Sequence, residues 1–320
     1  MGKSFKLKPR AAIVILLLFF AAGALWQNIM QRGEDKSHAP EGVFVDTGTY
    51  SADCYIKGAG STTLVFLSGS GTPCAYTDFY YLQNALSEHD QTLSFDHAGF
   101  GWSSDTKAKR DIDSLADDLA VIIDALVPKD NTILLVSHSL GSLEAIRYTQ
   151  KYGDRVTGIV FLDGGSPEFY AESSEIPSFI LNRASAFLRV TGINRLLGEG
   201  GVLLPLYGED IRNKKLPASL KALDKAMYYK HTGSGINLST ISYINENAAA
   251  VLNNGSIDTT PVLVLSSDSG EAWQKVQEQL AGWSKSSRQL TLDKAEHYIH
   301  WTDPDEVIRQ IESFKDTLLK

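Results

Sequence analysis

The chain has 320 residues, a net charge of −8 and 43% hydrophobic residues. This composition excludes a disordered or fibrous chain, and the length suits one large α/β domain with an insertion or two smaller domains. Residues 1–10 hold four of the positive charges and no acidic residue, so the rest of the chain has a net charge of −12. An acidic chain of this kind offers no basic surface for phosphates, which argues against nucleic-acid binding.

The N-terminal region contains a candidate membrane segment. Residues 11–26 have no charged side chain and follow the basic residues 1–10, a predicted cytoplasmic tail. Sixteen helical residues span about 24 Å, and about 30 Å when residues 27–30 are included, which matches the hydrocarbon core of a bilayer. The remainder of the chain is then exported, because the positive end of such a segment stays in the cytoplasm.

Two interpretations of this segment remain open. Residues 22–24 (Ala-Gly-Ala) could form the cleavage site of a signal peptide, in which case the protein is secreted. We favour an uncleaved transmembrane anchor over residues 11–30, because Trp26 stands where an interfacial aromatic residue belongs. Residues 31–41 are polar and contain Gly and Pro, so they predict a flexible tether outside the cell membrane.

From residue 42 onward, strand and helix patterns alternate, and several strands are continuous apolar runs typical of parallel strands buried on both faces. The sequence therefore predicts one α/β domain over residues 42–320, with a mostly parallel sheet of about eight strands and helices on both faces. The predicted strands are 42–47, 53–57, 63–67, 91–95, 132–137, 156–162, 261–266 and 288–291. The predicted helices around them are 78–88, 111–126, 140–151, 273–283 and 303–319.

The alternation stops between residues 166 and 258, where no buried strand is evident. This segment contains only helical patterns, at residues 180–189, 216–230 and 241–252, interrupted by glycines. We predict that it is a helical cap inserted over one end of the sheet.

The strongest chemical motif is the run Ser137-His138-Ser139-Leu140-Gly141, which joins a predicted buried strand directly to a helix. Small residues two positions before and after Ser139 allow the sharp strand-to-helix turn that exposes a nucleophilic serine. The turn also places the hydroxyl above a helix N-terminus, where the potential favours a developing anion. Ser139 is therefore the candidate nucleophile.

A serine nucleophile needs a base, and His297 is the best-placed histidine. It follows the last predicted strand and a loop, and it precedes the final helix by a few residues. His300 lies three residues later, and the pair could suggest a metal site. No third ligand stands at a fitting spacing, so we expect no metal.

The carboxylate that orients the base should follow a strand nearer the C-terminus than Ser139. Asp163 follows the strand at 156–162, and Asp268 follows the strand at 261–266. The residues alone leave both candidates open.

An oxyanion formed on the substrate needs two hydrogen-bond donors. The backbone amide of Leu140 comes with the turn at Ser139. The second donor should come from the glycine-containing loop after the strand at 63–67, where the backbone can approach a substrate closely. We assign it to the amide of Ser70.

Taken together, these motifs resemble the α/β-hydrolase fold superfamily, and the resemblance covers nearly all of residues 42–320. It is supported by Ser68-Gly69-Ser70-Gly71, by the loop at 96–103, by the turn at Ser139, by residues 161–167, and by Glu296-His297-Tyr298-Ile299-His300. The resemblance implies that Asp96 organises the edge of the site and is not catalytic. Haloalkane dehalogenases and pancreatic-type lipases place the acid where Asp163 stands. Other members carry it in a Gly-x-x-Asp motif after the penultimate strand, and Asp268 does not align with the acid of that motif. The resemblance therefore favours Asp163.

The two cysteines are too few for a disulfide framework or a four-cysteine zinc site. Cys54 falls on the second predicted strand, and Cys74 follows the third. In this fold the fourth strand lies between those two, which separates the cysteines by about 9–10 Å, more than a disulfide allows. We therefore expect free thiols.

The leading hypothesis is an exported serine hydrolase of the esterase or lipase type, tethered to the membrane through residues 11–30, with a small-molecule ester as substrate and no cofactor. Its nucleophile is Ser139, its base His297, its acid Asp163, and its oxyanion donors the amides of Ser70 and Leu140. Two alternatives are a non-catalytic ligand receptor or scaffold with the same fold, and lyase or perhydrolase chemistry from the same triad.

The cap has enough apolar and aromatic side chains to line a pocket for an acyl chain of short to medium length. The candidates for this pocket are Phe179, Ile180, Phe187, Leu188, Leu203, Leu204, Leu206, Tyr207, Met227, Tyr228 and Tyr229. The acidic character of the exported part is expected to oppose its docking on anionic lipids.

Overall fold

The computed structural model describes residues 8–203 and 208–318, and the eight strands in these ranges form one sheet. Their positions agree with the predicted strands to within two residues at each end. The strands are β1 (Val43–Asp46), β2 (Ser51–Lys57), β3 (Thr62–Leu67), β4 (Gln91–Phe95), β5 (Thr132–His138), β6 (Val156–Leu162), β7 (Val262–Ser266) and β8 (Ser287–Thr291).

The sheet order is β1-β2-β4-β3-β5-β6-β7-β8. Only the β1–β2 and β2–β4 pairs are antiparallel, and every other neighbouring pair is parallel. The central strands are apolar throughout because helices cover both faces, and all six residues of β3 are buried. The predicted fold class, a mostly parallel α/β-hydrolase sheet, is confirmed.

Helices pack on both faces of the sheet and continue over its C-terminal edge. One face is covered mainly by the fourth and fifth helices in chain order, and the other mainly by the third and the last. The described helices are α1 (Pro9–Ser37), α2 (Ala75–Asp78), α3 (Tyr80–Leu86), α4 (Ile112–Leu126), α5 (Gly141–Tyr152), α6 (Pro167–Glu172), α7 (Ile176–Val190), α8 (Ile193–Glu199), α9 (Glu209–Lys215), α10 (Ala218–His231), α11 (Gly235–Ser242), α12 (Ile244–Asn253), α13 (Glu271–Ala281), α14 (Ile299–Thr302) and α15 (Pro304–Leu318).

The segment predicted as a cap contains helices α6 to α12 and, in its described part, no strand. The predicted helix at 241–252 is divided between α11 and α12 at Tyr243. Three cap helices that the sequence did not predict, α6, α8 and α9, are seven residues long or shorter, too short for an apolar period to be visible.

The two cysteines are unpaired and buried. Cys54 lies on β2 and Cys74 lies after β3, and β4 lies between those strands as the sequence-based argument assumed. Burial raises the pKa of both thiols well above the ordinary cysteine value, so both are poor nucleophiles in the folded protein.

Helix α1 is long and apolar enough to cross a membrane, with a mean hydropathy of 2.1 over its best 18-residue window. It continues to Ser37, so most of the predicted tether (residues 31–41) is helical, and only residues 38–42 connect it to β1 as irregular chain. The physical reason is that the C-terminal half of α1 contacts the cap. Glu34 pairs with Arg195 through both carboxylate oxygens.

The contact between α1 and the cap is buried and polar. Gln27 donates from Nε2 to the Tyr229 carbonyl at 2.9 Å and accepts from Arg195 Nε at 2.7 Å. The Arg195 side chain is only 1% exposed, and its guanidinium lies 4.4 Å from the centre of the Tyr229 ring. Nearby, Lys230 pairs with Asp35 at 3.0 Å. The C-terminal half of α1 therefore packs against the cap.

We expect that a chain beginning at Gly42 will unfold at lower urea concentration than the full chain in the same detergent. Removing α1 takes away both side-chain partners of Arg195, Gln27 and Glu34, and hydrogen bonds to a charged group contribute about 1.5–3 kcal/mol each. The Arg195→Met substitution should lower the unfolding midpoint of the full chain and have little effect in the shortened chain, where the guanidinium is open to water. Equal unfolding midpoints for the full and shortened chains would show that the α1 contacts contribute nothing.

Candidate active site

Ser139 lies in the sharp turn between β5 and α5 and has a left-handed backbone conformation, with φ of +51°. The turn is possible because its neighbours are small. A Cβ atom at Gly141 would lie 2.9 Å from the carbonyl oxygens of Leu67 and Ser68, and one at Gly69 would lie 3.0 Å from the Ser139 Cβ. The backbone of the loop after β3 therefore runs directly beside the Ser139 side chain.

The structure brings Ser139, His297 and Asp163 into one chain of hydrogen bonds. His297 Nε2 is 3.0 Å from Ser139 Oγ, and His297 Nδ1 is 2.6 Å from Asp163 Oδ2. Ser139 lies at the end of β5, Asp163 in the loop after β6, and His297 in the loop between β8 and α14. The carboxyl ends of parallel strands meet at one edge of the sheet, which is why residues so distant in sequence converge here.

Asp163 is fully buried and has a left-handed backbone, with φ of +50°. Its Oδ1 accepts from the Ser267 amide and from Trp273 Nε1, both at 2.7 Å, and its Oδ2 accepts from Ser267 Oγ at 2.9 Å. Together with His297, these donors occupy the lone pairs of the carboxylate and fix its orientation. Asp268, the other candidate acid, is exposed, and its amide donates to the Ala295 carbonyl.

Sequence reasoning missed Ser267, Trp273 and Tyr170 as residues of the site. Ser267 directly follows β7, and Asp163 directly follows the neighbouring strand β6. The predicted pairing of these two strands could have indicated that the two residues lie close together. Tyr170 lies on α6, and its hydroxyl contacts Ser139 and the backbone amide of Gly165. Burial raises the pKa of Tyr170 well above its ordinary value, so the phenol is neutral.

The two proposed oxyanion donors belong to residues that line one cavity. Ser70 and Leu140 both line this cavity of about 50 Å³, together with Gly69, whereas Ser139 and His297 are not among its described lining residues. Within residues 8–203 and 208–318, neither the Ser70 amide nor the Leu140 amide has a hydrogen-bond acceptor. The Ser70 hydroxyl donates to Asn237 Oδ1 on α11 at 3.3 Å, so the cap contacts the oxyanion loop directly.

The described lining of the cavity differs from the predicted acyl pocket. The cap contributes Ile236, Asn237 and Thr240 from α11 and Asn247 from α12, and the core contributes apolar groups such as Leu143. The candidates named from the sequence lie elsewhere. Phe179, Ile180 and Phe187 are about half exposed or more and lie outside the cavity lining. Met227, Tyr228 and Tyr229 are buried in the packing of the cap, and Leu188 and Leu203 are half-buried away from the cavity. Leu204, Leu206 and Tyr207 are outside the described residues.

The two histidines of the His297-x-x-His300 pair separate into different environments. His300 is buried with Asp78 and His138, and the ligand atoms of these three residues lie within 4.8 Å of one another. The Arg212 guanidinium lies 3.3 Å from Asp78 and supplies a positive charge to this group, which disfavours a cation there. Sequence reasoning missed this group because Asp78 comes from a distant helix.

His138 connects that buried group to the candidate base. Burial lowers the pKa of His138 well below the ordinary histidine value, so the ring is neutral. Its Nε2 donates to the His297 carbonyl at 3.2 Å, which holds the backbone of the loop that presents His297.

Asp96 occupies the edge of the site and does not contact Ser139 or His297. Its Oδ1 accepts from the Ala75 amide at 2.7 Å, and its Oδ2 accepts from the Trp102 amide at 3.3 Å. Burial raises the pKa of Asp96 to about 6. Its contacts tie together the loops that follow β3 and β4, the positioning role that the family resemblance implied.

Comparison with known proteins gives a family and several distant relatives. A family model for the alpha/beta hydrolase fold matches residues 62–304. The uncharacterized protein YbdG of Bacillus subtilis (strain 168) is 26% identical over 239 residues, which are 70% of this chain and 68% of that protein. The 2-(acetamidomethylene)succinate hydrolase of Mesorhizobium japonicum is 23% identical over 283 residues, which are 85% of this chain and 94% of that protein.

Among solved structures, an esterase from Exiguobacterium antarcticum has a TM-score of 0.66 at 16% identity, and the match covers 85% of this chain and 98% of the esterase. Identity at this level shows a shared fold and leaves the reaction open.

Proposed function

Because this chain belongs to the α/β hydrolase fold family, we propose that it is a serine hydrolase that cleaves carboxylic esters of small or medium acyl chain through an acyl-enzyme on Ser139. The observation that supports this proposal is the continuous hydrogen-bond chain from Ser139 through His297 to Asp163. A chain of nucleophile, base and orienting acid is the arrangement that activates a serine hydroxyl.

In the proposed reaction, Ser139 Oγ attacks the ester carbonyl while His297 Nε2 accepts the hydroxyl proton. Asp163 holds the Nδ1–H of the ring, so that Nε2 has a free lone pair in the resting state and the imidazolium is stabilised when it forms. The amides of Ser70 and Leu140 donate to the oxyanion of the tetrahedral intermediate. His297 then protonates the leaving alcohol, and water deacylates Ser139 by the same steps in reverse.

The choice of an acyl substrate is supported by the cavity beside the oxyanion loop. Its walls are mostly apolar toward the core, as an acyl group requires, and its lining includes both residues whose amides are the proposed oxyanion donors. The proposed steps use only side chains and backbone amides of this protein together with water.

We also propose that α1 is an uncleaved anchor and that the hydrolase domain lies on the extracytoplasmic side of the cell membrane. The basic residues 1–10 support this orientation. Contacts on the N-terminal side of the alternative cleavage site support retention of the segment. The Phe20 ring packs against Phe187 with centroids 5.3 Å apart, and Gly23 packs closely against the backbone of Thr191.

The proposed reaction is tested by labelling membranes that contain the full chain with a fluorophosphonate probe. We expect covalent labelling of Ser139, with the modified peptide identified by mass spectrometry, because such probes react with serines activated by a base. The Ser139→Ala variant should not be labelled. Absence of labelling in the unsubstituted protein would favour the non-catalytic alternative.

A further inference from the structure

Helix α7 has a stripe of exposed apolar side chains. Ile176, Ile180 and Phe187 are 66%, 62% and 51% exposed, and Phe179 and Val190 are about half exposed. These positions recur at spacings of three, four and seven residues, so they lie on one side of the helix. We call these five residues the α7 face. An apolar surface of this kind on an exported protein indicates a contact that the isolated chain does not make.

The charge of helix α7 is opposite to that of the chain as a whole. Helix α7 contains two arginines, Arg183 and Arg189, and no acidic residue, although Glu175 precedes it and the chain outside residues 1–10 has a net charge of −12. Arg183 is exposed beside the α7 face. A helix with an apolar stripe and only basic charges is typical of helices that lie in the interface of a bilayer with anionic lipids.

The α7 face is continuous with the candidate membrane segment. The Phe20 ring of α1 contacts Phe187 of the α7 face. Three residues later, Gly23 lies so close to the cap that a Cβ atom there would be 2.1 Å from the Thr191 carbonyl oxygen. The C-terminal end of α7 therefore lies directly beside α1, within the part of α1 that is apolar.

The position of these contacts along α1 fixes the depth of α7. Gln27 and Glu34 make polar contacts with the cap, so the apolar part of α1 ends near Trp26, and Phe20 lies six residues deeper, or about 9 Å at the rise of an α-helix. Phe187 contacts Phe20 and must lie at a similar depth. Interfacial helices bury their apolar faces by about 5–10 Å, which agrees with this position.

We infer that the α7 face is embedded in the outer leaflet beside α1, so that the cap docks on the bilayer and the domain is not free to move on a tether. This inference rests on the proposed anchoring by α1, and it replaces the expectation that the acidic domain stays away from lipid. The other side of α7 faces the site. Asn182 on that side accepts from Asn237 at 2.8 Å, and Asn237 accepts from Ser70 of the oxyanion loop. Only α7 and α11 would then separate amphiphilic esters in the outer leaflet from the cavity.

The test uses the full chain, reconstituted in vesicles of phosphatidylcholine and phosphatidylglycerol. Single variants Ile180→Cys, Val121→Cys and Leu18→Cys are labelled with an environment-sensitive fluorophore. The native Cys54 and Cys74 are buried and do not compete for the label. Val121 is the matched control, because it is an exposed apolar residue in the second half of α4, a helix that packs on the sheet and is not part of the cap. Leu18 reports the insertion of α1 itself.

We expect lipids with a spin label near the headgroup to quench the fluorophore at position 180 several-fold more strongly than that at position 121, and aqueous iodide to quench them in the opposite order. If position 18 is protected from iodide while positions 180 and 121 are quenched equally, then α1 is inserted in the bilayer and the proposed docking of the α7 face is wrong. If position 18 is also quenched by iodide, α1 is not inserted, and the anchoring and the docking both fail. Neither outcome affects the proposed hydrolase reaction, which the probe labelling tests separately.

Discussion

The Ser139→Ala variant should hydrolyse p-nitrophenyl acetate and butyrate about 10⁴- to 10⁶-fold more slowly than the unsubstituted protein. Removal of a serine nucleophile from a triad costs rate enhancement of this order, since the remaining residues act only as a unit with it. Initial rates of the purified protein in detergent, corrected for background hydrolysis, measure the effect. If the variant retains a tenth of the turnover, the serine mechanism is wrong.

The same substitution should leave the fold intact. Alanine and serine both have a Cβ atom, so the left-handed backbone at position 139 is strained equally in both proteins. Ser142→Ala is a matched control for the loss of a hydroxyl on the same turn. Its Oγ donates to the Gly165 carbonyl at 2.7 Å, so its removal should lower the free energy of unfolding by about 1 kcal/mol and leave hydrolysis within about an order of magnitude of the original rate.

Much of the sheet could be predicted from the sequence because its strands are physically distinctive. Parallel strands covered by helices on both faces are continuous apolar runs between turn residues, as β3 and β5 show. The cap could not be predicted in comparable detail. Three of its helices, α6, α8 and α9, are only six or seven residues long, too short to leave a regular apolar period in the sequence.

The candidate site shows the same division. Ser139 and His297 could be located because each follows a strand in a local motif. The partners that hold Asp163 could not, since Ser267 and Trp273 reach it from another strand end and from α13. The contact of Gln27 and Glu34 with Arg195 joins residues about 160 positions apart. No local pattern marks such a contact, and the sequence therefore predicted a tether where the structure has a docked helix.

The substitution Asp163→Asn should lower kcat for the same esters by about 10⁴-fold. The corresponding change in a serine protease causes a loss of this size. The hydrogen bonds of this site explain why. Two N–H donors, the Ser267 amide and Trp273 Nε1, point at Oδ1, so the amide oxygen of an asparagine must take that position. Its NH₂ group then faces His297 Nδ1, which forces the proton of the ring onto Nε2. In that tautomer Nε2 has no lone pair to accept the Ser139 proton.

The fold should tolerate this change, because asparagine adopts left-handed backbone conformations more readily than most residues and the φ at position 163 is +50°. Asp268→Asn is the matched control, since Asp268 is an exposed acid on the neighbouring loop and its substitution should leave kcat within about two-fold of the original value. The ¹⁵N chemical shifts of the His297 ring provide a second measurement, because they distinguish protonation at Nδ1 from protonation at Nε2. If Asp268→Asn loses more activity than Asp163→Asn, or if the ring of the Asp163→Asn variant keeps its proton on Nδ1, then Asp163 does not orient the base.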